Sequence, residues 1–268
     1  MAQDAKAPGR YIRVRDLEMY YEEYGSGPLL ILLHGGTSTS AEWQANIPAF
    51  TCHFRVIAPD SRGHGRTNNP AGELSYRQMA DDIAALVQAL GLPRPLILGY
   101  SDGGQVALEL AMNYPGLAAG YVIGAAWYRF SDLYLNALQG FGLQSAEDID
   151  LPYILATKQD AIRWWQSQHT WSDDPQYWNS LLCQITRMWW TPLDYTAEDF
   201  QKIGDPALVL IGDRDGIIDV EQALEMYQMI PGAELSILPN ATHMTTTANP
   251  LFNSTVLDFL LRAQPMPG

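Results

Sequence analysis

A serine hydroxyl is a weak nucleophile until a base accepts its proton, and that base needs an acid to fix its tautomer and balance its charge. The chain carries groups of all three kinds in one order: Ser101, then Asp213 and Asp215, then His243. Ser101 stands in Gly99-Tyr100-Ser101-Asp102-Gly103, the G-x-S-x-G pattern of a strand-to-helix turn too tight for a Cβ where strand and helix approach most closely. Such a turn lifts the hydroxyl out of the sheet and aims backbone N–H groups at the group it attacks.

Five histidines compete for the role of base: His34, His53, His64, His169 and His243. On a doubly wound sheet, functional groups gather beyond the carboxyl ends of the strands, which favours His34, His64 and His243. In the order Ser…Asp…His, only His243 follows an acid at a strand end. Asp215 is the expected acid. Asp213 is its rival, two residues nearer the strand, with Asp132 and Asp219 further candidates, and Asp-Arg-Asp-Gly also reads as a turn by composition. An oxyanion hole requires two backbone donors: the N–H of Asp102 directly after the nucleophile, and one from the loop His34-Gly35-Gly36, where Gly36 is the expected donor.

The elements that must position these groups follow from periodicity. Apolar runs at Leu29–Leu33, Phe54–Ala58, Leu96–Tyr100, Tyr121–Gly124, Ala207–Ile211 and Leu235–Leu238 read as strands, most of them buried on both faces. Two more strands, Arg10–Asp16 and Leu17–Tyr24, precede them, after a loose leader over residues 1–9. Ser40 is expected to cap a helix running to Phe50. Ser75 begins another, Asp219 caps one over Val220–Ile230, and the last runs from Pro250 to Arg262. Strands alternating with amphipathic helices predict an α/β fold with a doubly wound, mostly parallel sheet.

At Ala125 the pattern changes, and from Trp127 to Trp190 it shows helices alone: Ser131–Leu138, Pro152–Ser167 and Pro175–Trp190, the last two with Pro at the first helical position. Seven of the eight tryptophans fall here, so residues 127–194 read as a helical cap inserted into a core of residues 1–126 and 195–268. Most of these rings are expected to pack the cap against the core. Trp127, Trp189 and Trp190, near the cap's two junctions, are expected as pocket walls for a small or medium hydrophobic ester.

The net charge of −14 disfavours nucleic acid and anionic membranes as partners, since both call for a basic surface. No apolar run reaches membrane-spanning length and the N-terminus lacks an apolar signal core. Two cysteines, Cys52 and Cys183, are too few for a disulfide framework, so a cytoplasmic protein with reduced thiols is expected. No metal or cofactor is called for.

Together His-Gly-Gly at 34–36, Asp-Ser-Arg-Gly-His-Gly at 60–65, Gly-Tyr-Ser-Asp-Gly-Gly at 99–104, Gly-Asp-Arg-Asp at 212–215 and the His243 loop resemble the α/β-hydrolase superfamily, in its capped serine-esterase-like branch. The likeness extends from about residue 10 to 262. It implies Ser101 as nucleophile, His243 as base and Asp215 as acid, with Gly36 and Asp102 giving the oxyanion N–H groups; Asp60, Arg62 and His64 would shape the rim. Superfamily members with an aspartate nucleophile are a poorer match, because the glycine frame centres on Ser101 and not on Asp102. The Ser-Asp-Gly-Gly elbow is similar to that of valacyclovir-hydrolase-type esterases, which implies that Asp102 could hold a substrate ammonium. The loop after His243, Met-Thr-Thr-Thr, departs from relatives that carry an acid there.

The expected function is a serine carboxylesterase working through an acyl-enzyme. Lactonase, thioesterase, carbon–carbon hydrolase and perhydrolase chemistry would use the same parts, and a ligand receptor on the same scaffold is the alternative of another class.

Overall fold

The apolar runs line up as one eight-stranded sheet in a computed structural model that describes residues 9–193 and 195–264. The strands are β1 (Arg10–Val14), β2 (Leu17–Gly25), β3 (Leu29–Leu33), β4 (Arg55–Pro59), β5 (Leu96–Tyr100), β6 (Gly120–Gly124), β7 (Ala207–Gly212) and β8 (Glu234–Leu238). Their spatial order is β1-β2-β4-β3-β5-β6-β7-β8. β2 runs antiparallel to β1 and β4, and every other pairing is parallel.

The helices are α1 (Ile47–Phe50), α2 (Tyr76–Ala89), α3 (Asp102–Asn113), α4 (Asp132–Phe141), α5 (Leu151–Thr157), α6 (Gln159–Gln168), α7 (Tyr177–Trp189), α8 (Ala197–Gln201), α9 (Val220–Met229) and α10 (Phe252–Ala263). The two-residue period of the strands divides the core in two. Ile31, Leu33, Ile97 and Ile211 join α2, α3 and α9 on one face; Leu30, Leu32, Leu98 and Leu210 join α1 and α10 on the other. Helices on both faces oblige the parallel strands to be apolar throughout, which is why β5, β6 and β7 are buried at every position.

The chain passes from β3 to β4 on one side and returns to β5 on the other. The β3–β5 junction is therefore the topological switch point, where the loops after both strands diverge and leave a crevice. Ser101 and Gly36 follow those two strands.

Between β6 and β7 lie α4 to α8, and Leu138, Ile154, Trp165 and Ile185 of α4 to α7 belong to the same core as α2 and α3. Residue 194, the last of the expected cap, and residues 1–8 of the expected leader lie outside the described residues.

Several local expectations are corrected. The helix expected from Ser40 to Phe50 is a 3₁₀ turn, Ser40–Trp43, followed by α1, and its cap is Thr39, whose hydroxyl accepts from Ala41 N–H. Ser40 is the first residue of that turn, one place past the cap, and its N–H donates to Asp60 Oδ1 at 2.8 Å. The helix expected over 152–167 is broken into α5 and α6 at Lys158; the Thr157 hydroxyl turns back onto the Tyr153 carbonyl at 2.8 Å, a contact that competes with the ladder. Pro152 is the second residue of α5, and Pro175 stands outside α7. Asp219 does precede α9 but makes no side-chain cap, because its carboxylate takes the Ser131 hydroxyl from the start of α4.

Candidate active site

β5 ends by turning straight into α3, and Ser101 takes the turn at φ 54° and ψ −121°. A non-glycine residue holds that conformation only where its surroundings over-determine it. Here the Ser101 N–H donates to the Gly124 carbonyl at 2.9 Å, and its own carbonyl receives the first helical bond, from Gln105. Glycine is obligatory on either side: a Cβ at Gly99 would collide with the Gly103 carbonyl, and one at Gly103 with the Leu33 carbonyl of β3.

The loops after β7 and β8 bring the other two groups to this point. His243 Nε2 lies 2.9 Å from Ser101 Oγ, and His243 Nδ1 lies 2.8 Å from Asp215 Oδ2. Asp215 Oδ1 accepts the N–H groups of Ile217 and Ile218, both at 2.9 Å, so one carboxylate oxygen is fixed by its own loop and the other is left for the imidazole. With Nδ1–H directed at the carboxylate, Nε2 presents its lone pair to the serine. The imidazole–carboxylate contact is almost wholly shielded from water.

The rival Asp213 has another task. Its Oδ1 accepts the Ala241 N–H at 3.1 Å, and Arg214 N–H reaches the Ala241 carbonyl at 3.0 Å, which laces the acid loop to the histidine loop. The Tyr100 hydroxyl donates to the His243 carbonyl at 2.7 Å and holds the base from the nucleophile's own strand. Asp219 is tied to Ser131, and Asp132 opens α4.

Gly36 N–H and Asp102 N–H, the two expected oxyanion donors, make no hydrogen bond among the described residues. The Asp102 side chain is buried and engaged. Oδ1 accepts the Tyr76 hydroxyl at 2.8 Å and the Trp189 indole N–H at 2.9 Å. Burial pushes this carboxyl up to about 6, partly offset by those two donors. A Cβ at Gly36 would lie 2.5 Å from Asp102 Oδ2 and 2.7 Å from Trp189 Cζ2, so the carboxylate and the indole fill the space a side chain there would need.

Of the three expected wall residues, Trp189 stands at the site. Trp127 is only 3 % exposed and packs against both Tyr134 and Phe130, which also stack on each other, while Trp190 lies edge-on to Phe130. Asp60, Arg62 and His64 knit the loop after β4 together. Asp60 accepts the N–H groups of Ser40 and Arg66, and Arg62 is buried against Asp82 and Asp16.

Sequence reasoning missed Tyr76, Tyr100 and Glu42, the last of which accepts the Gly35 N–H at 2.8 Å beside the oxyanion loop. Tyr100 had a signal, its place directly before the serine. Tyr76 and Glu42 had none, since tertiary contacts alone bring them here.

The chain belongs to the alpha/beta hydrolase family, whose model matches residues 30–252. It is 28 % identical over 267 residues to RutD of Agrobacterium fabrum, whose name puts it among carbamate hydrolases, with 91 % of this chain and 99 % of that one covered. It is 26 % identical over 254 residues to a 2-(acetamidomethylene)succinate hydrolase of Mesorhizobium japonicum, covering 90 % of each. Among solved structures, the meta-cleavage product hydrolase of Pseudomonas fluorescens shares the fold, with TM-score 0.77, 24 % identity and coverage of 96 % of this chain and 98 % of that one. Among the described residues no helix is long and apolar enough to cross a membrane.

Proposed function

We propose that the protein is a serine hydrolase that cleaves a small or medium hydrophobic carboxylic ester through an acyl-enzyme. The observation that carries this reading is the continuous chain from Ser101 Oγ to His243 Nε2 and from Nδ1 to Asp215 Oδ2. Ser101 Oγ attacks the ester carbonyl carbon as His243 Nε2 takes its proton; Asp215 stabilises the imidazolium. The carbonyl oxygen, now an anion, takes the N–H groups of Gly36 and Asp102. His243 then gives its proton to the departing alkoxide, leaving the acyl group on Ser101. Water, deprotonated by the same imidazole, attacks the acyl carbon; the bond to Ser101 Oγ then breaks, His243 returns its proton to Oγ, and the acid is released.

The indole of Trp189 beside Gly36 supports an apolar acyl or alcohol group, with α4 to α7 as the cap above it. The same acyl chemistry would serve an amide or carbamate, and the names of the relatives differ in the bond they break.

The test is turnover of p-nitrophenyl acetate and butyrate by the wild type and by Ser101→Ala, with mass spectrometry for an acyl adduct on Ser101. Loss of turnover in the variant and an adduct in the wild type are expected. Sustained turnover by Ser101→Ala would overturn the mechanism.

A further inference from the structure

Three successive peptide groups of the loop after β3 are each held by a buried imidazole. The Gly35 carbonyl accepts His34 Nδ1–H at 2.7 Å. The Thr37 N–H donates to His64 Nε2 at 3.3 Å. The Thr37 carbonyl accepts His169 Nε2–H at 3.0 Å. A trans peptide is planar, so its C=O and N–H point in opposite directions. Fixing the Gly35 carbonyl therefore fixes the Gly36 N–H, the proposed oxyanion donor. Thr37 follows at φ 59°, a left-handed conformation that a β-branched residue keeps only under restraint.

The second nitrogen of each ring is anchored as well. Ser61 N–H donates to His34 Nε2 at 2.9 Å, His64 Nδ1–H donates to the Arg62 carbonyl at 2.9 Å, and Gly65 N–H donates to His169 Nδ1 at 2.8 Å. Every ring thus has one donor and one acceptor nitrogen in use, as the neutral tautomer requires. Burial agrees, pushing His34 down to about 4 and His64 and His169 down to about 3. The rings form a row, with centroids 5.3 and 5.6 Å apart.

Two of these histidines belong to the core loops after β3 and β4. The third does not. His169 closes α6, inside the segment between β6 and β7, and reaches across to the loop after β3. The same turn is seated on the core by its backbone, since Thr170 and Trp171 N–H both donate to the Gly65 carbonyl, at 2.8 and 3.2 Å. Seating and restraint are therefore separable: without the imidazole the backbone contacts persist, but the Thr37 carbonyl loses its donor.

We propose that His169 is a positioning residue for the oxyanion hole, holding the Thr37 carbonyl so that the seating of the inserted segment is transmitted to the Gly36 N–H. The inference rests on the acyl-transfer reading above. It makes the inserted segment part of the apparatus that stabilises the transition state, in addition to any role as a wall.

The decisive pair is His169→Asn and His169→Gln. Asparagine keeps an acceptor for Gly65 N–H but is too short to reach Thr37, whereas glutamine can serve both. With p-nitrophenyl butyrate, His169→Asn should lose on the order of tenfold to a hundredfold in kcat with KM within a few-fold, the scale of a small misplacement of catalytic groups. Its affinity for a trifluoromethyl ketone, which adds to Ser101 and carries an oxyanion, should fall by the same factor. His169→Gln should recover most of both, and rates are referred to sites counted by fluorophosphonate titration. Unchanged kcat in His169→Asn, or a kcat loss with unchanged ketone affinity, would overturn the inference while leaving the serine mechanism intact. Wild-type protein that neither turns over nor takes fluorophosphonate would overturn the reading beneath it, and the inference with it.

Discussion

The indole N–H of Trp189 reaches both oxygens of the Asp102 carboxylate, at 2.9 and 3.1 Å. It joins the last residue of α7 to the first residue of α3, the position beside the nucleophile. With the Tyr76 hydroxyl, these are neutral donors to a group that burial disfavours as an anion. A substrate ammonium at Asp102 would have to share a carboxylate already held on both oxygens.

The first prediction concerns this carboxyl. Its folded value is about 6, above the ordinary 3.8. Between those two values the folded protein keeps a proton that the unfolded chain has released. Stability therefore rises as pH falls through this window and is lost as pH climbs to about 6. Asp102→Asn cannot titrate. Its stability relative to wild type should improve by about 1 kcal/mol per pH unit from pH 5 to 6 and level off above. Urea melts of both proteins at pH 5, 6 and 7.5 read this directly, and a difference constant across that range contradicts it.

A second prediction separates the two aspartates after β7. Asp215→Asn leaves an amide where the imidazole needs an acceptor and should cost roughly a thousandfold or more in kcat. Asp213→Asn keeps an oxygen for Ala241 N–H and should remain near wild type. Steady-state kinetics of the pair decide the matter; the opposite ranking would assign the acid to Asp213.

The third prediction is about stability. Arg62 is buried against Asp82, with Nε and Nη2 each 2.8 Å from a carboxylate oxygen, and Nη2 also reaches Asp16. Arg62→Met leaves the buried Asp82 carboxylate with only the half-exposed Arg15, at 2.9 Å, to balance it and should cost about 3 kcal/mol in chemical denaturation. Adding Asp82→Leu removes that under-compensated charge and should restore a large part of the loss. A double variant no more stable than the single one would show that the ion pair is not the source.

The sheet was legible because strands buried on both faces leave continuous apolar runs, as in Leu29–Leu33 and Leu96–Tyr100, and because glycine frames Ser101 on both sides. Chain order singled out His243 as the partner of that serine, and the two groups lie in contact. What was illegible depends on residues far apart in the chain. Lys158 interrupts a helix with neither Gly nor Pro to announce it, and Asp219 spends its carboxylate on Ser131 instead of the cap. His169 carried no motif at all. Its meaning lies in Thr37, 132 positions earlier.

The placement of β5 beside β3 sets an order of events during folding. The loop that carries Gly36 follows β3 and Ser101 follows β5, and the strand formed between them in sequence, β4, lies on the far side of β3. The two halves of the site meet only after a crossover of some sixty residues has closed, and such non-local closure is slow. His243 arrives later still, beyond β8. A chain emerging from synthesis thus carries Ser101 long before it carries His243, and the contact between the two can form only once the final quarter of the polypeptide has taken its place.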